Sequence, residues 1–272
     1  MKWFMALNSR ESSIKHSTAS ARYEFMALAA LASAKKNAPQ LEPHLIYNGL
    51  PNQFTDRVRE LGCELIFHQL SVQSLIDSVS DDFKAWKHIS RGALLRIDIP
   101  NIVDCDEVVL YTDVDVIFLK DPSAFVPSVN TFALAPEQDV HDYGQTNINS
   151  GVMFLNPRNV RSIFDELKMR YALSINEICR WGYFDQEIIR FFLNGKWEKL
   201  HQFFNWKPYW GIHEDAVIIH FHGPKPFDCD LETSLLQHEG EVYKRLYGLN
   251  SDAYQYYLSI WKHYFLMQCW NK

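Results

Sequence analysis

The run Val108-Val109-Leu110-Tyr111-Thr112-Asp113-Val114-Asp115-Val116-Ile117-Phe118 constrains this chain more than any other segment. Four apolar residues in succession leave no wet face, so Glu107 to Tyr111 is predicted as a strand covered on both sides. Buried strands of this kind belong to open α/β sheets, whose ligands bind beyond the carboxyl ends of the strands. This one ends in two carboxylates separated by one residue. In an extended chain residues i and i+2 point to the same side. Asp113 and Asp115 are therefore placed to share a hard divalent cation such as Mg²⁺ or Mn²⁺, with open positions left for phosphate. Taken alone, the pair also reads as two solvated turn aspartates or a helix N-cap.

The flanking pattern supports an α/β sheet. Strand-like runs at Trp3 to Asn8, Leu45 to Tyr47 and Glu64 to His68 alternate with helical runs at Ser20 to Lys36 and Gln53 to Leu61. A helix is predicted from Ile89 to Ile97. Further strands are expected at Thr131 to Ala135, Val152 to Leu155 and Ala216 to His220. Further helices are expected at Ser162 to Ala172, Asp185 to Leu193, Glu239 to Tyr247 and Asp252 to Cys269. No internal repeat or flexible linker breaks the series, and one large domain is expected.

Composition excludes several roles. The 33 acidic and 27 basic residues leave a net charge of −6, with no basic block to hold a nucleic-acid backbone. Hydrophobic residues make up 47% and charged residues 22%, a balance that buries a core rather than staying disordered. Nothing approaches the run of ~20 apolar residues that spans a bilayer, and the opening Met1 to Asn8 reads as a buried strand rather than a secretory segment. Cys63, Cys105, Cys179, Cys229 and Cys269 form no C-x-x-C unit. They are expected to be free thiols in a reducing cytosol.

A second constellation is Ala216 to Phe227, an apolar run ending His220-Phe221-His222-Gly223-Pro224-Lys225-Pro226-Phe227. An imidazole completes a carboxylate site for a cation, a glycine lets the backbone approach phosphate, and a lysine adds a compact positive charge. By itself His220 is equally a buried core histidine. A strand followed by D-x-D also resembles the first motif of haloacid-dehalogenase-type phosphatases. Here about 100 residues of strand and helix precede the motif, and Asp185-Gln186-Glu187 lacks that group's acidic pattern. A metal-dependent phosphohydrolase is the lesser alternative.

The third feature, Asn147-Ile148-Asn149-Ser150-Gly151-Val152-Met153-Phe154-Leu155-Asn156, is a polar turn feeding a strand. Together the motifs resemble the retaining glycosyltransferases of family 8, which include glycogenin and bacterial lipopolysaccharide galactosyltransferases. The likeness runs to about Phe227 through Arg96 in R-x-x-x-P, then YTDVDVIF, NSGVMFLN, FDQE and HFHGPKPF. It implies a GT-A fold, a Rossmann-like α/β unit with a mixed central sheet flanked by helices. Residues 1–228 would form the nucleotide-sugar-binding domain, and residues 229–272 a helical extension packed on it.

The resemblance also assigns roles. Asp113, Asp115 and His220 would hold Mn²⁺ or Mg²⁺ against the donor diphosphate, while Lys225 and the backbone of Gly223 would grip the same phosphates. Arg96 would sit near the diphosphate and sugar. Asn149 would bond the sugar, with Ser150 and Gly151 allowing close approach. Asp185 would contact sugar hydroxyls, and Gln186 would lie near the reacting face. Without the resemblance, Asn149 to Gly151 is a plain turn, Asp185 a helix N-cap and Arg96 a surface arginine.

Ala6 and Asn8 would line the nucleotide, and Tyr23 would stack on its base. Two departures stand out. The stretch Ser9 to Ser20 exceeds the family's usual turn, and the terminal motif lacks one residue between histidine and lysine and ends in Phe227 instead of tryptophan. A slipped register would make His222 the ligand; His220 is expected.

The function implied is transfer of a hexose from a nucleotide sugar, expected to be a UDP-hexose, to an acceptor hydroxyl on a glycan or glycolipid, with retention. A non-catalytic nucleotide-sugar-binding protein of the same fold is the alternative. The aromatic residues Trp197, Phe203, Phe204, Trp206, Tyr209 and Trp210 suit acceptor sugars or plain packing. A cytoplasmic location is expected, with peripheral membrane contact through the tail Tyr254 to Trp270 as a lesser reading.

Overall fold

The computed structural model describes residues 1–9, 18–144, 146–227 and 241–270. Most of the Ser9 to Ser20 stretch, Cys229 and the side chain of Cys269 lie outside the described residues.

Among the described residues nine strands occur, β1 (Lys2–Asn8), β2 (Glu42–Asn48), β3 (Glu64–Phe67), β4 (Val109–Thr112), β5 (Val116–Phe118), β6 (Phe132–Pro136), β7 (Ile148–Leu155), β8 (Glu198–Lys199) and β9 (Ile218–His220). Seven of them form one mixed sheet in the order β3-β2-β1-β4-β7-β6-β8. The half from β3 to β4 is parallel, and β7 runs antiparallel to both β4 and β6. Both faces are covered, as the apolar run demanded. In β1, Trp3, Met5 and Leu7 enter one core cluster, while Phe4 enters the other. The helices Thr18–Asn37 and Ser251–Trp270 contribute to the first cluster. Helices Lys84–Ala93, Phe164–Trp181 and Asp185–Leu193 contribute to the second. The tail residues Ala253, Tyr254, Leu258, Trp261 and Tyr264 are part of the core itself. No described helix is long and apolar enough to cross a membrane.

The chain differs from the predicted elements in three instructive places. The D-x-D segment is not one extended strand. Strand β4 stays in the main sheet, whereas β5 leaves it to pair antiparallel with β9, so Asp113 to Asp115 bridge the two sheets. The helix expected over Ile89 to Ile97 stops at Ala93 and tightens into the 3-10 turn Leu94–Asp98, which buries Arg96. The helix expected from Ser162 to Ala172 runs on to Trp181, where Gly182 adopts a left-handed φ of 68° and ends it.

The β5 ribbon is anchored by the first helix. The Phe118 N–H donates to Ser33 Oγ at 3.0 Å, and Asn37 Nδ2, one turn further on, donates to the Phe118 carbonyl at 2.7 Å. A two-stranded ribbon lacks the pairing of a full sheet, and these two side chains supply it.

Candidate active site

Six chain segments meet around the ends of β4, β7 and β9, and the sequence motifs lie on five of them. They enclose a cleft of about 270 Å³ lined by Arg96, Asp113, Asp115, Asn149, Asp185, Gln186, His220 and Lys225, together with Glu137 and His222.

The strand pairing sets the first contacts. Because Val116 faces His220 in the β5–β9 ribbon, the side chain of Asp115 comes next to the histidine ring. His220 Nε2 lies 3.5 Å from Asp115 Oδ1 and 3.8 Å from Asp113 Oδ2. One ligand atom from each of the three residues falls within 4.8 Å of the others. The Gly151 carbonyl accepts the Asp113 N–H at 2.6 Å, drawing β7 beneath this cluster. A Cβ at Gly151 would come within 2.2 Å of His220 Cε1 and 2.8 Å of Asp113 Oδ2. The glycine of NSG is therefore required by the close passage of its own strand under the cluster, a reason the sequence did not disclose.

Charge is distributed in two groups. Lys225 Nζ donates to Asp115 Oδ2 at 2.5 Å, while Asp115 Oδ1 is buried with no hydrogen-bond partner. Burial pushes the Asp115 carboxyl up, but Lys225 and His220 outweigh it and hold it below the usual carboxylate range. Burial lowers His220 to about 4, leaving a neutral imidazole whose lone pair is available. Its Nδ1 sits 3.0 Å from Asn205 Oδ1; an amide oxygen accepts, so Nδ1 carries the hydrogen and Nε2 faces the carboxylates.

In the second group, buried Arg96 sits between two carboxylates, 2.7 Å from Asp113 Oδ1 and 3.2 Å from Asp185 Oδ2. Its guanidinium also lies 4.7 Å from the centre of the Tyr111 ring and donates to the Ser150 carbonyl at 3.0 Å. Even so, burial, with Asp115 and Asp185 nearby, raises Asp113 to about 7 against the pull of Arg96.

The donor set of two carboxylates and one imidazole suits Mn²⁺ or Mg²⁺, and the unpartnered Asp115 Oδ1 is the kind of buried atom a cation satisfies.

Asp185 is not a helix cap. Its helix opens on Asp185 itself, and Glu187 Oε2 accepts the Phe184 N–H at 3.0 Å in the capping role. That frees the Asp185 carboxylate to accept from Ser150 Oγ at 2.6 Å and to pair with Arg96. Gln186 Oε1 accepts from Asn149 Nδ2 and from the Ser150 N–H, both at 3.1 Å. The motifs NSG and FDQE thus form one hydrogen-bonded unit.

Tyr23 lies on the first helix, 43% exposed, and burial pushes its hydroxyl up against the pull of Lys225. Ala6 and Asn8 lie at the end of β1, where the Asn8 Oδ1 and Asn48 Nδ2 atoms are buried without a hydrogen-bond partner. Gly223 adopts a φ of 91°, and a Cβ there would meet Leu246 at 2.8 Å, so this glycine serves the turn and its packing on the helix Glu241–Leu249.

His222 departs from His220. The ring turns toward Glu137, with Nε2 3.4 Å from Glu137 Oε1 and Nδ1 3.1 Å from the Tyr209 hydroxyl. Among the described residues the cation-type cluster contains His220 and not His222. The sequence reading missed Glu137, which follows β6 without any motif around it. It also missed Asn205, the partner that orients His220.

The sequence profile of glycosyl transferase family 8 matches residues 17–228. Solved structures share the fold at low identity. An active-site mutant of LgtC matches with a TM-score of 0.60 at 17% identity, over 91% of this chain and 95% of that one. Apo GlyE of Streptococcus pneumoniae TIGR4 matches with a TM-score of 0.57 at 18% identity over 96% of this chain. The match covers 63% of GlyE, so the chain spans less than two thirds of that relative's length. Mouse xyloside xylosyltransferase 1 matches with a TM-score of 0.54 at 15% identity, over 82% of this chain and 98% of that one. Nothing matches among curated protein sequences. These neighbours carry the GT-A architecture, and the profile spans the whole stretch from the first helix to the HFHGPKPF turn, so the chain belongs to glycosyltransferase family 8.

Proposed function

We propose that this chain is a cation-dependent retaining hexosyltransferase, moving a hexose from a uridine diphosphate donor to a hydroxyl of a glycan or glycolipid acceptor. The observation that carries the reading is the convergence of Asp113, Asp115 and His220 in a family 8 chain, with Asp115 Oδ1 buried and unpartnered and Lys225 on its other oxygen.

Asp113, Asp115 and His220 would hold Mn²⁺ or Mg²⁺. Such a cation supplies Lewis-acid stabilisation of the negative charge on the leaving diphosphate. Lys225, at the mouth of the Gly223 turn, adds a second positive charge there. Asn8, Ala6 and Tyr23 would take the nucleoside at the end of β1. Arg96, Asn149, Ser150 and Asp185 would hold the hexose by its hydroxyls, in a network already hydrogen-bonded before the donor arrives.

The cleft carboxylates favour a front-face reaction over double displacement. Asp185 is engaged by Arg96 and Ser150, and the group assigned to the reacting face, Gln186, is an amide and a poor nucleophile. The acceptor hydroxyl would enter on the side from which the diphosphate leaves, and a departing phosphate oxygen would take its proton. Trapping a glycosyl-enzyme on Asp185 by mass spectrometry would overturn this order of events. The expectation of a cytoplasmic setting goes with this reading, and Cys63, Cys105 and Cys179 are free thiols.

The test is a thermal-shift panel of nucleoside diphosphates and UDP-sugars with and without Mn²⁺, repeated on Asp115→Ala. A ligand that binds only the folded state raises the melting temperature according to its affinity. The expected result is stabilisation by one UDP-hexose that needs the cation and disappears in the variant. Absence of any nucleotide response in folded protein, together with phosphate release from simple esters, would favour the phosphohydrolase reading.

A further inference from the structure

Residues 136–139, the exit from β6, are held by their backbone on both sides. Lys207 Nζ donates to the Pro136 carbonyl and the Tyr209 hydroxyl to the Glu137 carbonyl. Trp210 Nε1 donates to the Gln138 carbonyl at 2.7 Å. From the other side, the Glu137 N–H donates to the Asn147 carbonyl at 2.6 Å. The Gln138 and Asp139 N–H groups both donate to Asn147 Oδ1, at 2.9 and 3.3 Å. With Asn147 Nδ2 donating to the Asp139 carbonyl at 2.8 Å, seven backbone groups in four consecutive residues are pinned by Asn147 and by the side chains of Lys207, Tyr209 and Trp210.

Holding this segment comes at a cost to stability. Lys207 is fully buried, with its ammonium over the face of Trp210 at 4.4 Å. Burial drives it well below the ordinary lysine range, the expected response of a cation taken out of water. A surface loop needs no such anchor, whereas a side chain that must hold a reacting group in place does.

The side chain presented by this clamp is Glu137. Its Oε2 accepts from Gln186 Nε2 at 2.9 Å and from Arg190 Nη2 at 2.7 Å, and Oε1 faces His222. Gln186 therefore has two donors on its oxygen, from Asn149 and Ser150, and a carboxylate on its nitrogen. Rotating the amide by half a turn would set nitrogen against two donors and oxygen against a carboxylate. One orientation survives, and one Gln186 N–H remains for the cleft.

We propose that Glu137 is a positioning residue of the transferase site, fixing the amide of Gln186 in a single orientation from a backbone clamped by Lys207, Tyr209, Trp210 and Asn147. This rests on the transferase reading above and adds to it a residue that no motif contains. Glu137 acts through Gln186 and not by contact with the sugar.

A double-mutant cycle separates the two kinds of role. The probes are UDP-glucose and UDP-galactose with Mn²⁺, read by slow hydrolysis, so that no acceptor need be known. In Glu137→Ala, kcat is expected to fall about 10- to 100-fold, the scale of a small misplacement, with donor KM held within about twofold. In a Gln186→Ala background the same change should add less than about twofold, since the group it positions is already gone. Glu137→Gln, whose amide oxygen still accepts from Gln186 Nε2, should recover most of the loss. Tyr209→Phe, which removes one clamp bond together with the contact to His222, should show a smaller loss of the same kind and serves if Glu137→Ala unfolds. Full additivity of Glu137→Ala with Gln186→Ala, or a rise in donor KM at unchanged kcat, overturns the proposal while leaving the transferase reading intact. A wild type that neither hydrolyses a donor nor is stabilised by one sinks the parent reading, and this inference with it.

Discussion

Two concave regions of this molecule share one helix and differ in almost every other respect. The first turn of Asp185–Leu193 points Asp185 and Gln186 into the cleft of about 270 Å³. The outer flank of the same helix, through Ile188, Phe191 and Phe192, lines a larger groove of about 500 Å³ against the helix Phe164–Trp181. The groove is walled by Leu173, Trp181 and other apolar side chains, with Leu173 81% and Trp181 68% exposed. The cleft is smaller, and its walls are charges bonded to one another. Size therefore does not mark the candidate site. What marks it is convergence of polar groups whose contacts leave an atom such as Asp115 Oδ1 unfilled.

The comparison can be broken most severely at Arg96. Replacing it by methionine keeps the volume but leaves buried Asp185 and half-buried Asp113 without their cation. Breaking a buried pair by removing one partner costs about 3–5 kcal/mol, so denaturant unfolding of Arg96→Met should show a loss of that order. Donor turnover should fall with it by at least about 10²-fold, the scale of losing a charged contact at the reacting centre. A variant as stable as the wild type would mean that the two carboxylates are relieved in some other way, and that the cleft is less tightly coupled than its distances imply.

Much of the cleft was legible because its residues are delivered by strand ends, where a two-residue period and an abrupt change from apolar to polar mark position. Asp113, Asp115 and His220 are of this kind, and so is the parallel half of the sheet from β3 to β4. Glu137 and Asn205 were not legible. Glu137 follows β6, whose register shifts between Leu134 and Ala135, and its importance comes from partners 49 and 53 residues away in sequence. The departure of β5 from the main sheet was hidden for a related reason. Its three residues read as a continuation of β4, and only pairing with β9, about 100 residues later, draws them off. The groove gave no signal either, since its residues sit at ordinary helical spacing.

Glycine offers a second contrast between the regions, with a smaller expected effect. Gly151 in the cleft is needed for space, since its Cβ would lie 2.2 Å from His220 Cε1. Gly182, in the turn that closes the groove hairpin, has a φ of 68° and nothing within 4 Å of a Cβ. Gly151→Ala should push His220 and Asp113 apart and abolish the Mn²⁺-dependent thermal shift, with turnover lowered about 10²-fold as for other misplacements of about 1 Å. Gly182→Ala should cost about 1 kcal/mol from the left-handed backbone alone, with the cation response unchanged. If both variants lost the cation response, the hairpin and the cleft would be one mechanical unit rather than two regions.

The smallest effect belongs to the groove wall. Leu173 is a lining residue and also the most exposed large hydrophobic side chain of its helix, so Leu173→Gln removes apolar surface that folding never buried. Exposed substitutions of this kind shift stability by no more than about 0.5 kcal/mol, and donor hydrolysis should stay within about twofold of wild type, since no cleft residue is touched. Trp181→Ala tests the same point four residues before Asp185. Urea unfolding and hydrolysis rates on both variants decide the matter. Should turnover on the free donor fall in either one, the wall of the groove is coupled to Asp185 and Gln186 through their shared helix. The division between a catalytic cleft and an inert apolar hollow would then have to be redrawn along that helix.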